Sequence, residues 1–589
     1  MNLRIRWITL VVAFLPIGGL LAQSVDFGTL KDDIQKKIKA KTFEFNGGAS
    51  LNAIYTEGSE PVPQPFTYVA SGNIVCTIKG YKLPFSFTYS NKKFSHTNPN
   101  FRFNRSAFNP RYKDWSGHFG DVNMAFSPYT LSGVPIKGAG IEYGGEKFKL
   151  ETVGGRIYKA VREEDSSNIV PTFNRVGAGV KTSYQGKGIK GSLAVFYARD
   201  AKNSIPIPKR FENTDVRPME NMAFSFSSSL PIPKIKDLAW ESEVSTSVLT
   251  RNLMKSDERD TSRNPIAWLL KNRNASTKVY QAVKTALNYT MDKIGSLGIA
   301  YERVDPNYQT LGGLFFTNDF ENVTINAQHQ GKVNMSFSTG VQRDDIADRK
   351  RSSTGRMVIA GNMAFKVGEK IDVAMNYSNF QSYTFIQTGF ERINRLNPLD
   401  NLDTLNFTQL SQNAGLNLGY KIGQTKKKTQ ALMMNINFME SAQERNNIVQ
   451  QNNATRFVNG LMNYNLNWIP WNLSVAAGIN CAINYSATNR AVTVGPTLSV
   501  AKPFFDKLVN VNAAVAYNQS RGTIQQTSIT TMNIGANTAL KKVHNLTFNL
   551  MSQYRTSSSK SSINYTATVG YNYTFSSKKE EKPKDNSIK

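Results

Sequence analysis

Four histidines, His96, His118, His329 and His544, are the only imidazoles in the chain. Zinc binding and proton transfer near neutral pH fall first to this residue type. None of the four stands at metal-ligand spacing from another histidine, a cysteine or a carboxylate pair. The two cysteines, Cys76 and Cys481, lie far apart, each on the apolar phase of a predicted strand. They read as small outward-facing or packing residues, with no disulfide between them. No G-x-S-x-G elbow, Walker loop or dinucleotide fingerprint occurs. Asp344, Asp345 and Asp348 lack the order of a calcium-binding loop and read as solvated. No catalytic, cofactor or metal site is expected, and enzymatic activity is not expected either. The chemistry with a pattern belongs to guanidinium. Every arginine from Arg199 onward falls in or beside a long polar connection, whereas lysine crowds the short ones.

The elements that carry these groups are strands. In Ile563–Phe575 the apolar residues Ile563, Tyr565, Ala567, Val569, Tyr571, Tyr573 and Phe575 alternate with Asn564, Thr566, Thr568, Gly570, Asn572 and Thr574. Successive side chains of a strand point to opposite faces, so one face is apolar and the other wet. Trp471–Tyr485 repeats the pattern. A soluble strand is usually about 5–6 residues long; crossing a bilayer takes about 9–11, tilted. The chain is 589 residues long and 40% hydrophobic, with a mean hydropathy of −0.38. After the N-terminus no apolar run approaches the roughly 20 residues of a spanning helix. Low mean hydropathy with long alternating strands fits a barrel whose two faces average out.

Residues 1–22 carry Arg4 and Arg6, an apolar core and a small-residue stretch, as a secretory signal peptide does. Residues 23–42 are then a periplasmic leader, 43–575 the barrel and 576–589 a disordered, Lys-rich periplasmic tail. Short connections such as 292–295 and 541–545 alternate with long ones such as 91–113, 251–277 and 383–403. Short turns belong on the periplasmic side and long loops outside. Tyr55, Tyr89, Tyr301, Tyr517 and Tyr554 fall near outer strand ends, and Trp240, Trp468 and Trp471 near inner ones, as two aromatic belts. The net charge of +28 points, in an exported protein, to lipid phosphate and anionic solutes, with no nucleic-acid partner. Guanidinium grips phosphate through two parallel hydrogen bonds. Arg303, Arg343, Arg349, Arg351, Arg356, Arg521 and Arg555 are therefore the candidate lipid-phosphate contacts at the outer rim.

Alternation fails at 127–146 (SPYTLSGVPIKGAGIEYGGE). This segment is expected on the inner side or in the lumen, joining a descending strand at 114–126 to an ascending one at 147–160. Tyr129, Leu131 and Lys137 are its candidate constriction or gate residues. The apolar island Asn264–Leu270, within a charged loop, is expected to pack on its own barrel. Counting gives about 24 strands, within a range of 22–26.

The signal peptide, serial amphipathic strands, aromatic belts and Phe575 near the chain end resemble Gram-negative outer-membrane β-barrel proteins of the large porin and transporter class. The resemblance covers residues 43–575 at the level of architecture. It implies an all-β fold: a single large transmembrane antiparallel barrel, with outer-membrane lipid and lipopolysaccharide as its surroundings. Two features depart from it. A Lys-rich tail follows the terminal aromatic, and no plug domain precedes the strands. The implied function is a porin-like or substrate-specific channel, gated by 127–146 or by long loops. The alternative is a non-transporting barrel: a scaffold, adhesin or component of a secretion or surface complex with a periplasmic or surface protein partner.

Overall fold

The computed structural model describes residues 43–91, 104–163, 171–186, 188–208, 216–254, 265–313, 319–344, 355–379, 410–441, 444–445, 448–449, 455–486, 490–523, 525–541, 543–558 and 560–577. The chain is all-β, and 26 antiparallel strands close into one barrel. Each strand pairs with its sequence neighbours. The ring closes where Phe43–Gly58 pairs with Ser561–Ser576, from Asn46 opposite Ser576 to Gly58 opposite Asn564. With strands about 4.8 Å apart and tilted by about 40°, a circular ring of this count is roughly 50 Å across.

Alternation sets the two faces. Leu51, Tyr55, Leu193, Phe226, Ile299, Leu498, Ile534 and Val569 point outward and are exposed. Their strand neighbours Ser50, Asn52, Ser225, Ser227, Thr497, Ser499 and Thr568 line the interior. Both cysteines are free, as the sequence implied. Cys76 lies opposite outward-facing Phe45, and Cys481 shares the phase of exposed Ile479. One rim carries only tight turns, such as Lys79–Gly80, whose φ values of 47° and 86° suit a primed hairpin turn. The other rim carries the long connections.

The strand count falls at the top of the expected range of 22–26, two above the central estimate of about 24, because two strands were hidden. Arg105–Phe108 and Arg111–Tyr112 together form one, broken at Asn109–Pro110, inside what reads as the loop 91–113. Proline has no N–H to give the ladder, so alternation stops there. Ile136–Gly144 is the other. Its interior positions Gly138, Gly140 and Gly144 carry no side chain, which hides its period. Two expectations for 127–146 are thereby corrected. Trp115–Val122 runs toward the long-loop rim, and Ile136–Gly144 returns from it as part of the wall. The connection between them starts at the long-loop rim, opposite to the side expected.

Candidate functional site

The connection 123–135 turns into the barrel and packs against the inner wall. Its apolar residues Met124, Phe126, Leu131 and Val134 meet interior-facing Val122, Val153, Ile157, Ala194, Phe196, Ala198 and Leu249, with Leu311 from a second loop. Leu131, Val134 and Phe196 are fully buried. The second loop, residues 305–313, lies alongside: Gly312–Gly313 pairs in parallel with Leu131–Ser132. The Tyr308 hydroxyl donates to the Tyr129 carbonyl at 2.8 Å, and Thr310 Oγ1 to the Thr130 carbonyl at 2.7 Å. The two loops form one insert.

Polar side chains of the wall hold the insert in place. The Tyr129 hydroxyl donates to Glu302 Oε1 at 2.6 Å, and Ser127 donates to Glu243, which also accepts from Ser225 at 2.6 Å. Lys181 Nζ donates to the Phe126 carbonyl at 2.7 Å. Asn221 Oδ1 accepts from the Leu311 amide at 3.1 Å, and Ser247 donates to the Gln309 carbonyl at 2.6 Å. Lys284 lies between Glu243 and Glu302 in the strand register. Burial and the neighbouring Glu302 carboxylate push the Tyr129 phenol well above its usual pKa. Burial, with Glu243 and Asp305 nearby, does the same to Tyr308. Both phenols therefore stay protonated and keep donating. All of these contacts are made to one arc of wall, from Trp115–Val122 round to Gly295–Val304.

Of the expected gate residues, the structure brings Tyr129 and Leu131 together at the heart of this insert. Lys137 is not with them: it sits in the wall, between Asp121 and Arg156 on the outward phase. Sequence reasoning missed Glu243, Glu302, Lys181 and the whole of 305–313. The signal was present as carboxylates on the wet phase of mostly uncharged strands, and as Tyr308 and Leu311 in a polar loop.

The remaining wall, from Phe320–His329 round to Tyr81–Ser90, has a different chemistry. Its interior positions are mostly Asn, Ser, Thr, Gly and Ala, with Lys366, Asp372 and Lys421 near the short-turn rim and Arg555 near the other. Asparagines repeatedly face glycines across strands: Asn463 opposite Gly478, Asn512 opposite Gly535, Asn376 opposite Gly415, Asn52 opposite Gly570. The carboxamide lies over the glycine, occupying the space a Cβ would fill. The result is an amide-rich surface with few protrusions.

Among the expected lipid-phosphate residues, Arg303, Arg343, Arg356, Arg521 and Arg555 all sit at strand ends on the long-loop rim. Arg303 and Arg521 are on the outward phase, whereas Arg555 is on the inward one. Arg349 and Arg351 lie outside the described residues. Arg111, earlier than the stretch covered by the rule, is at the opposite rim. The apolar island packs on the barrel's outer face at the long-loop rim: Ala267 and Leu270 are buried against Tyr197, Met222, Val248 and Val279. Among the described residues no cluster of metal-ligating side chains occurs.

No protein-family model matches the sequence, and no curated protein sequence matches it. Solved structures resemble it only distantly. The translocation pore of the P pilus usher PapC aligns over 90% of this chain and 100% of its own, at 8% identity and a TM-score of 0.42. The FrpB iron transporter from Neisseria meningitidis aligns over 90% of this chain and 81% of its own, at 9% identity and a TM-score of 0.32. OccAB4 of Acinetobacter baumannii covers 66% of this chain and 97% of its own, at 9% identity and a TM-score of 0.29. At that similarity no activity carries over from any of them.

Proposed function

We propose that this chain is an outer-membrane β-barrel with its long-loop rim facing the exterior, and that it conducts solutes past a fixed luminal constriction. The observation that carries the reading is the pairing of an apolar outer face with an amide-lined interior narrowed by the insert. Exposed apolar surface on this scale needs a nonaqueous neighbour, and a closed barrel of this kind leaves no strand edge unpaired in hydrocarbon. Arginine along the long-loop rim fits a leaflet rich in lipid phosphate.

The constriction is the insert, whose packed core holds Tyr129 and Leu131 with Tyr308 and Leu311. Its core is as buried as that of a soluble protein, so it acts as a fixed narrowing rather than a swinging gate. Few fixed charges line the opposite wall, so the passage suits uncharged, hydrogen-bonding solutes better than ions. Single-channel recording in planar bilayers tests this. Discrete conductance steps with little preference between cations and anions are expected. A silent barrel would instead support the scaffold or surface-complex reading.

A further inference from the structure

A second site lies at the short-turn rim. The turn Ile469–Trp471 and the turn after Phe504 belong to adjacent hairpins, because Leu473–Tyr485 pairs with Arg490–Phe504. Between the turns is a cleft of about 750 Å³ lined by Pro470, Trp471, Asn472, Lys502, Pro503, Asp506 and Lys507. Trp471 stacks on Trp468, with ring centroids 4.9 Å apart and planes 9° from parallel. Trp471 remains 60% exposed. Lys502 Nζ lies 5.6 Å from the Phe504 ring centroid. Phe505, at the tip of the second turn, is 77% exposed, the most exposed large apolar residue among those described.

Unpaired lysines recur among the described residues in the turns of this rim, as at Lys234, Lys293 and Lys541, and what sets this position apart is that two of them meet in one cleft beside a strained turn. Among the described residues neither Lys502 nor Lys507 is in an ion pair, whereas Lys366 and Lys421 at the same rim share Asp372 at 3.7 and 3.5 Å. Phe505, Asp506 and Lys507 are also consecutive left-handed residues, with φ of 53°, 52° and 69°. Each such non-glycine residue costs roughly 1–2 kcal/mol, and strain of this sort persists where the surroundings or a function hold it. Here two of the three, Asp506 and Lys507, line the cleft.

We propose that the cleft binds the phosphate headgroup of an anionic glycerophospholipid of the leaflet at the short-turn rim. The proposal rests on the membrane reading above. Two ammonium groups against one carboxylate leave the cleft net positive. Flat aromatic rings with polar edges belong at the headgroup level. The acyl chains of a lipid held there would run along Val475, Leu498 and Val500, which share the outward phase of the same two strands. Aromatics at a bilayer interface are ordinary in barrels. A cleft with two unpaired cations between two hairpins, over a strained turn, is a built site for one lipid class.

The test uses the full-length barrel in vesicles of equimolar phosphatidylglycerol and phosphatidylcholine. Flotation reports insertion, and mass analysis of lipid retained after detergent exchange reports selectivity. Wild type is expected to retain phosphatidylglycerol over phosphatidylcholine by roughly tenfold, given the usual contribution of each lysine near an anionic surface. Lys502→Gln with Lys507→Gln is expected to bring retention near parity. The control pair Lys234→Gln with Lys236→Gln, at another turn of the same rim, should leave it unchanged. If the double variant fails to fold by circular dichroism, Lys507→Gln alone, in an exposed turn, is expected to lower retention several-fold. Flotation without lipid preference, equal loss in the control pair, or full displacement by inorganic phosphate would each overturn the site and leave the membrane reading standing. Failure to float would overturn both.

Discussion

The Tyr129 hydroxyl donates to the Glu302 carboxylate, and that bond makes its chemistry measurable. Replacing Tyr129 with phenylalanine leaves Glu302 Oε1 without its 2.6 Å donor. Hydrogen bonds to charged groups contribute about 1.5–3 kcal/mol, against about 0.5–1.5 for neutral ones. Tyr129→Phe is therefore expected to destabilise the barrel more than Tyr308→Phe, whose partner is the Tyr129 carbonyl. Urea titration of both variants in detergent checks the order. The two phenols also set a pH response. Each is raised in the folded chain, so its contribution is complete below the unfolded tyrosine pKa of about 10. Above that the unfolded chain gives up the proton first, and stability falls as pH rises. Wild type should lose stability above about pH 10 more steeply than Tyr129→Phe, in the same titration repeated across pH. On the opposite wall, a Cβ at Gly495 would lie 2.3 Å from the Tyr517 backbone oxygen and 2.0 Å from Asn518 Oδ1. Gly495→Ala should cost about 1–3 kcal/mol by overpacking, by the same measurement. Tyr129 and Leu131 were legible because alternation fails around them. Their partners were not, since a glutamate on the wet phase of a strand looks the same whether it meets water or a tyrosine 173 positions away.

Among the elements, the insert is a pair of loops that behaves as core. Replacing Phe126–Val134 with a short Gly-Ser link removes Leu131 and Val134 and leaves Phe196 and Leu249 facing the lumen. The conductance step should rise several-fold if the insert narrows the passage, and an unchanged step would sink that idea. The turn after Phe504 makes the opposite kind of prediction. Asp506 already holds φ of 52°, a conformation glycine adopts freely. Asp506→Gly is expected to raise stability by roughly 1 kcal/mol, read from the unfolding midpoint. Most strands announce themselves through a period of two, and the exposed outer residues confirm which phase faces out. Arg105–Tyr112 and Ile136–Gly144 do not. The first is cut by Pro110, and the second has glycine where the wet residues should stand. Periodicity is a signal carried by side chains, and it disappears where the backbone alone makes the ladder.

Across the whole molecule, the described arginines from Arg199 onward keep to one rim, whereas lysine occurs at both, in turns such as Lys234, Lys293, Lys370 and Lys541 at one and at Lys271 and Lys560 at the other. That separation was legible because the side of each connection follows from counting strands back from the chain end, which an error before residue 147 leaves untouched. Orientation is open to a direct check. A cysteine at Glu60, in an exposed long-loop-rim turn, should react with an impermeant maleimide on intact cells, and one at Lys293 only after the envelope is opened. The reverse result would invert the barrel and remove the reason for arginine at the outer rim. The seam between Phe43–Gly58 and Ser561–Ser576 has its own consequence. The strand Phe43–Gly58 must wait until Ser561–Ser576 has been synthesised before it can meet its final neighbour. Until then the growing sheet has two raw margins hungry for hydrogen bonds, and chains halted before Ser561 keep them for good. Such truncated products are expected to clump with one another, and an escort that shields those margins until the seam closes would keep them apart.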